Sequence, residues 1–165
     1  MNILEQIGTE IGADKITTTR ATTLYLSSHS GFNSLEPCGE SIGRMKTVTT
    51  TIDAILDGDV PKLIKLDVEG AEGRALEGAF ITLPKCPYVV AELNEAALQR
   101  FGSSRAAVRQ LMAGHGYDTF VLNKDGALPH LVPQATELVC DRQNLMVLFS
   151  TQAKVAEAWP TVELT

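Results

Sequence analysis

Three carboxylates crowd into six residues of the segment KLDVEGAE, at Asp67, Glu69 and Glu72. An apolar run precedes them and a helical pattern follows, so they lie where a strand passes into a helix. Carboxylates at the start of a helix can cap its free N–H groups, for about 0.3–1 kcal/mol each. Three neighbouring acids also repel one another, which a cap alone does not require, and such clusters are candidate functional groups. The residues by themselves leave capping and chemistry equally open.

The elements around this junction predict an α/β fold with a mostly parallel sheet. Apolar runs and helical spacing predict strands at 63–68, 88–93, 117–122 and 145–149, and helices at about 71–83 and after Ser103 or Ser104. Strands that alternate with helices imply right-handed crossovers between parallel strands. No helical pattern separates the last two strands, so we expect that pair to be antiparallel. Ligands of such sheets bind beyond the carboxyl ends of the strands, where Asp67 and Glu69 lie.

The two ends of the chain carry simpler patterns. Apolar residues at positions 3, 4, 7 and 11 predict a short amphipathic helix, and a threonine-rich segment after it favours extended chain. Near the C-terminus, we expect Trp159 to anchor a terminal helix.

At the acidic junction, Glu69 and Glu72 are three residues apart, so they share a helical face if the helix begins early.

Composition narrows the class of protein. The 165 residues carry a formal charge of −6, which opposes binding to nucleic acid or to an anionic membrane. No run approaches the ~20 apolar residues that cross a bilayer, and no signal peptide is evident, so we expect a cytoplasmic protein. Cys38, Cys86 and Cys140 are too scattered to predict a disulfide framework or a zinc site.

The motif at the acidic junction is specific enough to indicate a family. The segment LIKLDVEGAEGRALEGA resembles the signature of the FkbM-type S-adenosylmethionine (SAM)-dependent methyltransferases, which is a hydrophobic strand, then I-K-x-D-x-E-G-A-E, then a helix with L-x-G-A. SGFNSLEP, TVTTTIDAIL and PYVVAEL are similar to the G-x-N-S-L loop, the V-x-T-x-x-L-D segment and the next strand of that family. The resemblance implies one methyltransferase-like domain over 1–165, with a helix and strand at 1–20, the FkbM-like region at 21–150 and a tail at 151–165.

The resemblance also implies an activity and a site. Its members transfer the methyl group of SAM to a hydroxyl, often on a sugar or small metabolite, and have a Rossmann-like sheet. By this resemblance, the catalytic residues are Asp67, Glu69 and Glu72, and the acceptor-binding residues are Asn33, Ser34, Glu92 and His29. A carboxylate whose pKa is raised by its neighbours can take the proton of the hydroxyl. Alternatively, Asp67 and Glu69 hold a divalent cation that acidifies the hydroxyl.

The cofactor half of the family pattern is missing from this sequence. Family members bind SAM at a turn of the type D-x-G-A-x-x-G, whereas only residues 1–20 precede the matched region here. The resemblance therefore implies an N-terminally truncated sheet, and it assigns no cofactor-binding residue. A missing neighbour would leave LIKLDV as an open edge, so we expect a homo-oligomer. Two other hypotheses remain: a non-catalytic remnant of the fold that serves in interactions, and a module that binds a metal or small molecule.

Overall fold

The computed structural model describes residues 19–28, 33–37, 41–122, 128–139 and 144–160. Within these ranges the strands are β1 (Arg20–Ser27), β2 (Ser41–Thr49), β3 (Ile64–Leu66), β4 (Val89–Asn94), β5 (Asp118–Val121), β6 (His130–Val132) and β7 (Asn144–Ser150). The helices are α1 (Ile52–Leu56), α2 (Glu72–Glu77), α3 (Glu95–Arg100), α4 (Arg105–Gly114) and α5 (Gln152–Ala158). The predicted helix at 3–11, His29, Cys38 and Cys140 lie outside the described residues.

Two separate sheets form, and the larger one corrects the prediction of a mostly parallel sheet. Strands β1 and β2 pair as an antiparallel hairpin, whereas the five-stranded sheet has the order β3-β4-β7-β5-β6. Only β3 and β4 pair in parallel, and the other three pairs are antiparallel. Strands β3, β4 and β5 do run in one direction, as the helices between them require. The expectation failed because β7 enters the sheet between β4 and β5. The predicted antiparallel pairing of the last strong strand, β7, with β5 is confirmed.

The sheet separates two apolar clusters, and successive side chains along each strand point alternately to one cluster and the other. Val89, Ala91 and Leu93 of β4 belong to the larger cluster, together with side chains of α2 and α4. Val90 packs on the opposite side with the smaller cluster, which includes Val155 of α5. Trp159 also packs there, with its ring edge-on to Tyr88 at 6.3 Å, so its predicted anchoring role is confirmed. Glu92 follows the same alternation as Val90 and therefore lies on the α5 side of the sheet.

Helix α2 is shorter than the predicted range of 71–83. The α-helix ends at its C-cap Gly78, single turn hydrogen bonds follow at the amides of Ala79 and Leu83, and a separate 3-10 helix covers Leu83–Lys85. The carboxylate of Asp53 explains the break, because it accepts hydrogen bonds from the amides of Ile81 and Thr82, each at 2.9 Å. Phe80, which the apolar stripe of the predicted helix included, is 67% exposed.

Helix α3 and strand β6 were not predicted. Helix α3 begins directly after β4, where the side chain of Asn94 accepts a hydrogen bond from the amide of Ala97 at 3.0 Å. This N-cap sets α3 beside the strand tips that carry the acids.

In the described part of the chain, no helix is long and apolar enough to cross a bilayer. Strand β3 lies at one edge of the sheet. Self-association stays a prediction, which light scattering on the purified chain would test.

Candidate functional site

Two acids come directly after the last parallel residue pair of β3 and β4. Leu66 is in register with Ala91, so Asp67 and Glu92 follow as neighbours one position further along. Both lie on the α5 side of the sheet, because side chains alternate along a strand. Lys65 lies on the same side and its Nζ is 3.2 Å from Asp67 Oδ2, in an exposed ion pair. The structure therefore brings together two of the acids that the sequence suggested.

Glu69 joins this edge from the turn between β3 and α2. Its backbone has a φ of 54°, in the left-handed region that non-glycine residues rarely adopt. The side chain is half-buried, and burial, followed by the charges of Asp67 and Glu92, raises the pKa of Glu69 from 4.5 to about 7. The charge of Arg100 on α3 lowers this pKa. We call Asp67, Glu69 and Glu92 the acidic rim.

Glu72 has a different environment from the rim. It is 1% exposed, and its Oε1 accepts hydrogen bonds from the amides of Val68 at 3.1 Å and Gly70 at 3.3 Å. Its Oε2 is buried and has no hydrogen-bond partner in the described part of the chain. Burial raises the pKa of Glu72. Glu69 and Glu72 do not share a helical face, because α2 begins only at Glu72 and the left-handed turn precedes it.

The backbone of Gly70 is pressed against α3. Gly70 has a φ of 108°, and a Cβ at this position would lie 2.4 Å from the carbonyl oxygen of Ala97. Only a residue without a side chain fits there. The turn that carries Glu69 is thus held between the start of α2 and the first turns of α3.

The predicted loop residues Asn33 and Ser34 form hydrogen bonds within the connection between β1 and β2. Asn33 Oδ1 accepts from the amide of Ser27 at 2.9 Å, and the backbone of Ser34 pairs with Tyr25. Ser34 Oγ accepts from the amide of Glu36 at 3.3 Å. The side chains of these two residues therefore form part of the connection itself.

One side chain of α2 ties this loop to the rest of the site. Arg74 Nη1 is 3.7 Å from Glu36 Oε1, and the guanidinium lies over the ring of Phe101 at 5.0 Å from its centroid. Arg74 thus connects the loop that carries Asn33 and Ser34 with α2 and with the end of α3. This contact places Glu36 beside α2, and the acceptor-binding role of Asn33 and Ser34 stays a prediction.

Two other observations bear on what the rim can bind. No group of three or more His, Cys, Asp or Glu side chains within the described ranges is arranged to hold a metal ion. Two grooves, of about 430 and 240 Å³, share Gly116 and Tyr117 as lining residues. Tyr117 precedes β5, and the pairing of β5 and β4 with β7 places its start level with the start of β4. These grooves therefore lie at the end of the sheet opposite the acidic rim.

Sequence reasoning missed the contribution of α3 to this site. Arg100 modifies the pKa of Glu69, and Ala97 restricts the turn at Gly70. The signal was present in the sequence, because Asn94 is a favoured N-cap residue and directly precedes EAALQR. Read as a helix start, this segment would have placed a basic residue near the strand tips.

Comparison with models of protein families gives a match over much of the chain. The family model described as the methyltransferase FkbM domain matches residues 7–119, which include β1 to β4, α2 and all the acids of the site. No curated protein and no solved structure matches the chain.

Proposed function

The chain belongs to the FkbM methyltransferase family, and on this premise we propose that it forms the acceptor side of a SAM-dependent O-methyltransferase. The acceptor is a hydroxyl group on a sugar or another small metabolite. Glu69 is the general base that takes the hydroxyl proton as the oxygen is methylated. Asp67 and Glu92 accept hydrogen bonds from the acceptor and hold its hydroxyl towards Glu69.

The raised pKa of Glu69 is the observation that carries this proposal. A general base works best when its pKa lies near the operating pH, and burial and neighbouring carboxylates bring Glu69 to about 7. A carboxylate with an ordinary pKa would be a weak base for a hydroxyl proton. The position of Glu69, at the carboxyl end of a parallel strand pair, is also where α/β sheets bind their ligands.

The family resemblance identifies no SAM-binding turn in this chain. The cofactor turn implied by the family resemblance, D-x-G-A-x-x-G, does not occur in the sequence, and the acidic rim has no glycine-rich turn of that kind. SAM supplies the methyl group of the family reaction, but we assign no residue of this chain to its binding. The proposal therefore concerns the acceptor, its orientation and its proton.

A binding titration followed by a transfer assay tests the proposal. Calorimetry with SAM and with S-adenosylhomocysteine at millimolar concentration asks whether the chain binds the cofactor. Transfer of labelled methyl from SAM to a panel of sugars and small hydroxyl compounds asks whether it reacts. We expect the rate to rise with pH through about 7, and Glu69→Gln to lower it by about 100-fold or more.

Matched variants make the result specific to the rim. Glu77→Gln removes an exposed carboxylate from the same part of the chain, on α2, and should leave the rate unchanged. If neither SAM nor S-adenosylhomocysteine binds, catalysis by this chain alone is refuted and the hypothesis of a non-catalytic interaction module gains support. If Glu69→Gln is as active as the unaltered chain, the assignment of the base is wrong.

A further inference from the structure

The turn between β3 and α2 adopts a backbone conformation that requires support. Glu69 and Gly70 both have positive φ, of 54° and 108°. For a non-glycine residue such as Glu69, the left-handed region costs roughly 1–2 kcal/mol. The chain keeps this conformation only if contacts around the turn favour it over an extended or helical path.

Glu72 supplies such contacts from the helix side. Its Oε1 accepts from the amides of Val68 and Gly70, the two residues that flank Glu69 in the chain. One carboxyl oxygen therefore holds the Asp67–Val68 and Glu69–Gly70 peptide groups, and Glu69 lies between these two restrained points. With 1% exposure, Glu72 lies beneath the turn rather than on the surface that an acceptor would approach.

Helix α3 restrains the turn from a second direction. The carbonyl of Ala97 lies against Gly70 so closely that no side chain fits between them. The turn cannot move towards α3, and the bonds to Glu72 oppose its movement away from α2. Glu69 is the residue whose orientation these restraints determine.

We propose that Glu72 is a positioning residue, which holds the turn in the conformation that presents Glu69 to the acceptor and does not itself contact the acceptor. This inference rests on the proposed function of Glu69. It gives Glu72 a different part from the catalytic one that the family resemblance implied. An amide oxygen in place of Oε1 would be sufficient for this role, because both hydrogen bonds end on that single acceptor atom.

Two isosteric variants separate this role from a charge effect. Glu72→Gln keeps an oxygen acceptor without the carboxyl, whereas Glu72→Met fills the same space without an acceptor. Amide hydrogen exchange measured by NMR reports directly on the Val68 and Gly70 bonds. We expect both amides to be protected in the unaltered chain and in Glu72→Gln, and to exchange about tenfold or more faster in Glu72→Met. Glu77→Met, on an exposed position of α2, is the control.

The titration midpoint of the Glu69 carboxyl group tests the positioning role, because a loss of overall stability alone would not change it. We expect its carboxyl ¹³C titration midpoint to fall slightly in Glu72→Gln, because the charge of Glu72 that helps to raise this pKa is lost in both variants. It should fall further in Glu72→Met, as the turn loosens and Glu69 gains solvent. The proposal is overturned if Glu72→Gln shifts the midpoint as far as Glu72→Met. Free exchange of the Val68 and Gly70 amides in the unaltered chain also overturns it, even if Glu72→Met fails to fold. A Glu69 midpoint near 4.5 in the unaltered chain would instead refute the proposed base, and amide protection would still decide the role of Glu72.

Discussion

Gly70 and Ala97 approach each other so closely that their contact fixes the junction of strand and helix. A Cβ on Gly70 would lie 2.4 Å from the carbonyl oxygen and 2.6 Å from the carbonyl carbon of Ala97. Real Cβ atoms do not make such contacts, and the obstacle is backbone, which cannot rotate away. The glycine of the DVEGAE motif therefore serves the packing of α3 as well as the tightness of the turn.

Substitution of Gly70 by alanine should be far more damaging than its φ alone implies. Gly58 is a matched control, because its φ of 97° is similar but no atom of the described residues lies within 4 Å of the point that a Cβ would occupy there. We expect Gly58→Ala to cost about 1–2 kcal/mol and Gly70→Ala about 2 kcal/mol more. Urea denaturation of both variants measures the difference. Equal losses would show that α3 does not press on the turn.

The pKa of Glu69 predicts how its charge affects folding. The pKa is about 7 in the folded chain and 4.5 ordinarily, so the folded state holds this proton more tightly. The resulting stabilisation is present below pH 4.5 and is lost as the pH rises through about 7. Glu69→Gln should therefore reduce the fall in the free energy of unfolding between about pH 5 and pH 8. Because the side chain is only half-buried, we expect a difference of about 1 kcal/mol.

Denaturation of both chains at several pH values measures this effect. Burial also raises the pKa of Glu72, which contributes a fall of the same sign, so Glu69→Gln should flatten the dependence without abolishing it. Glu77→Gln, at an exposed position, should leave the dependence unchanged. A pH dependence that is identical in Glu69→Gln and the unaltered chain would contradict the raised pKa.

Asp53 should stabilise the segment that follows α2. Its carboxylate accepts from the amides of Ile81 and Thr82 and from Thr82 Oγ1, the last at 2.7 Å. Asp53→Ala leaves these donors without their acceptor, and Thr82 is buried. We expect a loss of about 2–3 kcal/mol in the free energy of unfolding. Asp59→Ala, at an exposed position nearby in the chain, should change it by less than about 0.5 kcal/mol.

Arg109 should anchor the segment after β6 to α4. The residue is 4% exposed, and its guanidinium donates to the backbone carbonyls of Val132, Pro133 and Thr136 and to Thr119 Oγ1. Arg109→Met keeps the volume but removes every donor, and we expect a loss of about 2 kcal/mol. Arg109→Lys should recover only part of it, because an ammonium cannot span several acceptors with a fixed fork. Thermal unfolding, with the exposed Gln110→Ala as control, checks this prediction.

Local patterns in the sequence were sufficient for most elements of the larger sheet. The apolar runs that became β3, β4, β5 and β7 were visible, as were α4 and the anchoring of α5 by Trp159. The order of the strands was not predictable in the same way. The apolar run of β7 does not indicate that this strand lies between β4 and β5. The position of β7 in the sheet depends on which neighbouring elements bury both of its faces.

Glu69 and Glu72 show most directly the difference between features that the local sequence reveals and features that depend on packing. Local sequence was enough to show that acids cluster where a strand passes into a helix, and the motif around them indicated the family. The different burial of the two acids, with Glu69 half-buried at the rim and Glu72 buried beneath the turn, was not visible in the sequence. Residues distant in the chain, Glu92 and Ala97, produce that difference. Burial and the fields of neighbouring charges set a pKa, and both arise from packing that local periodicity does not encode.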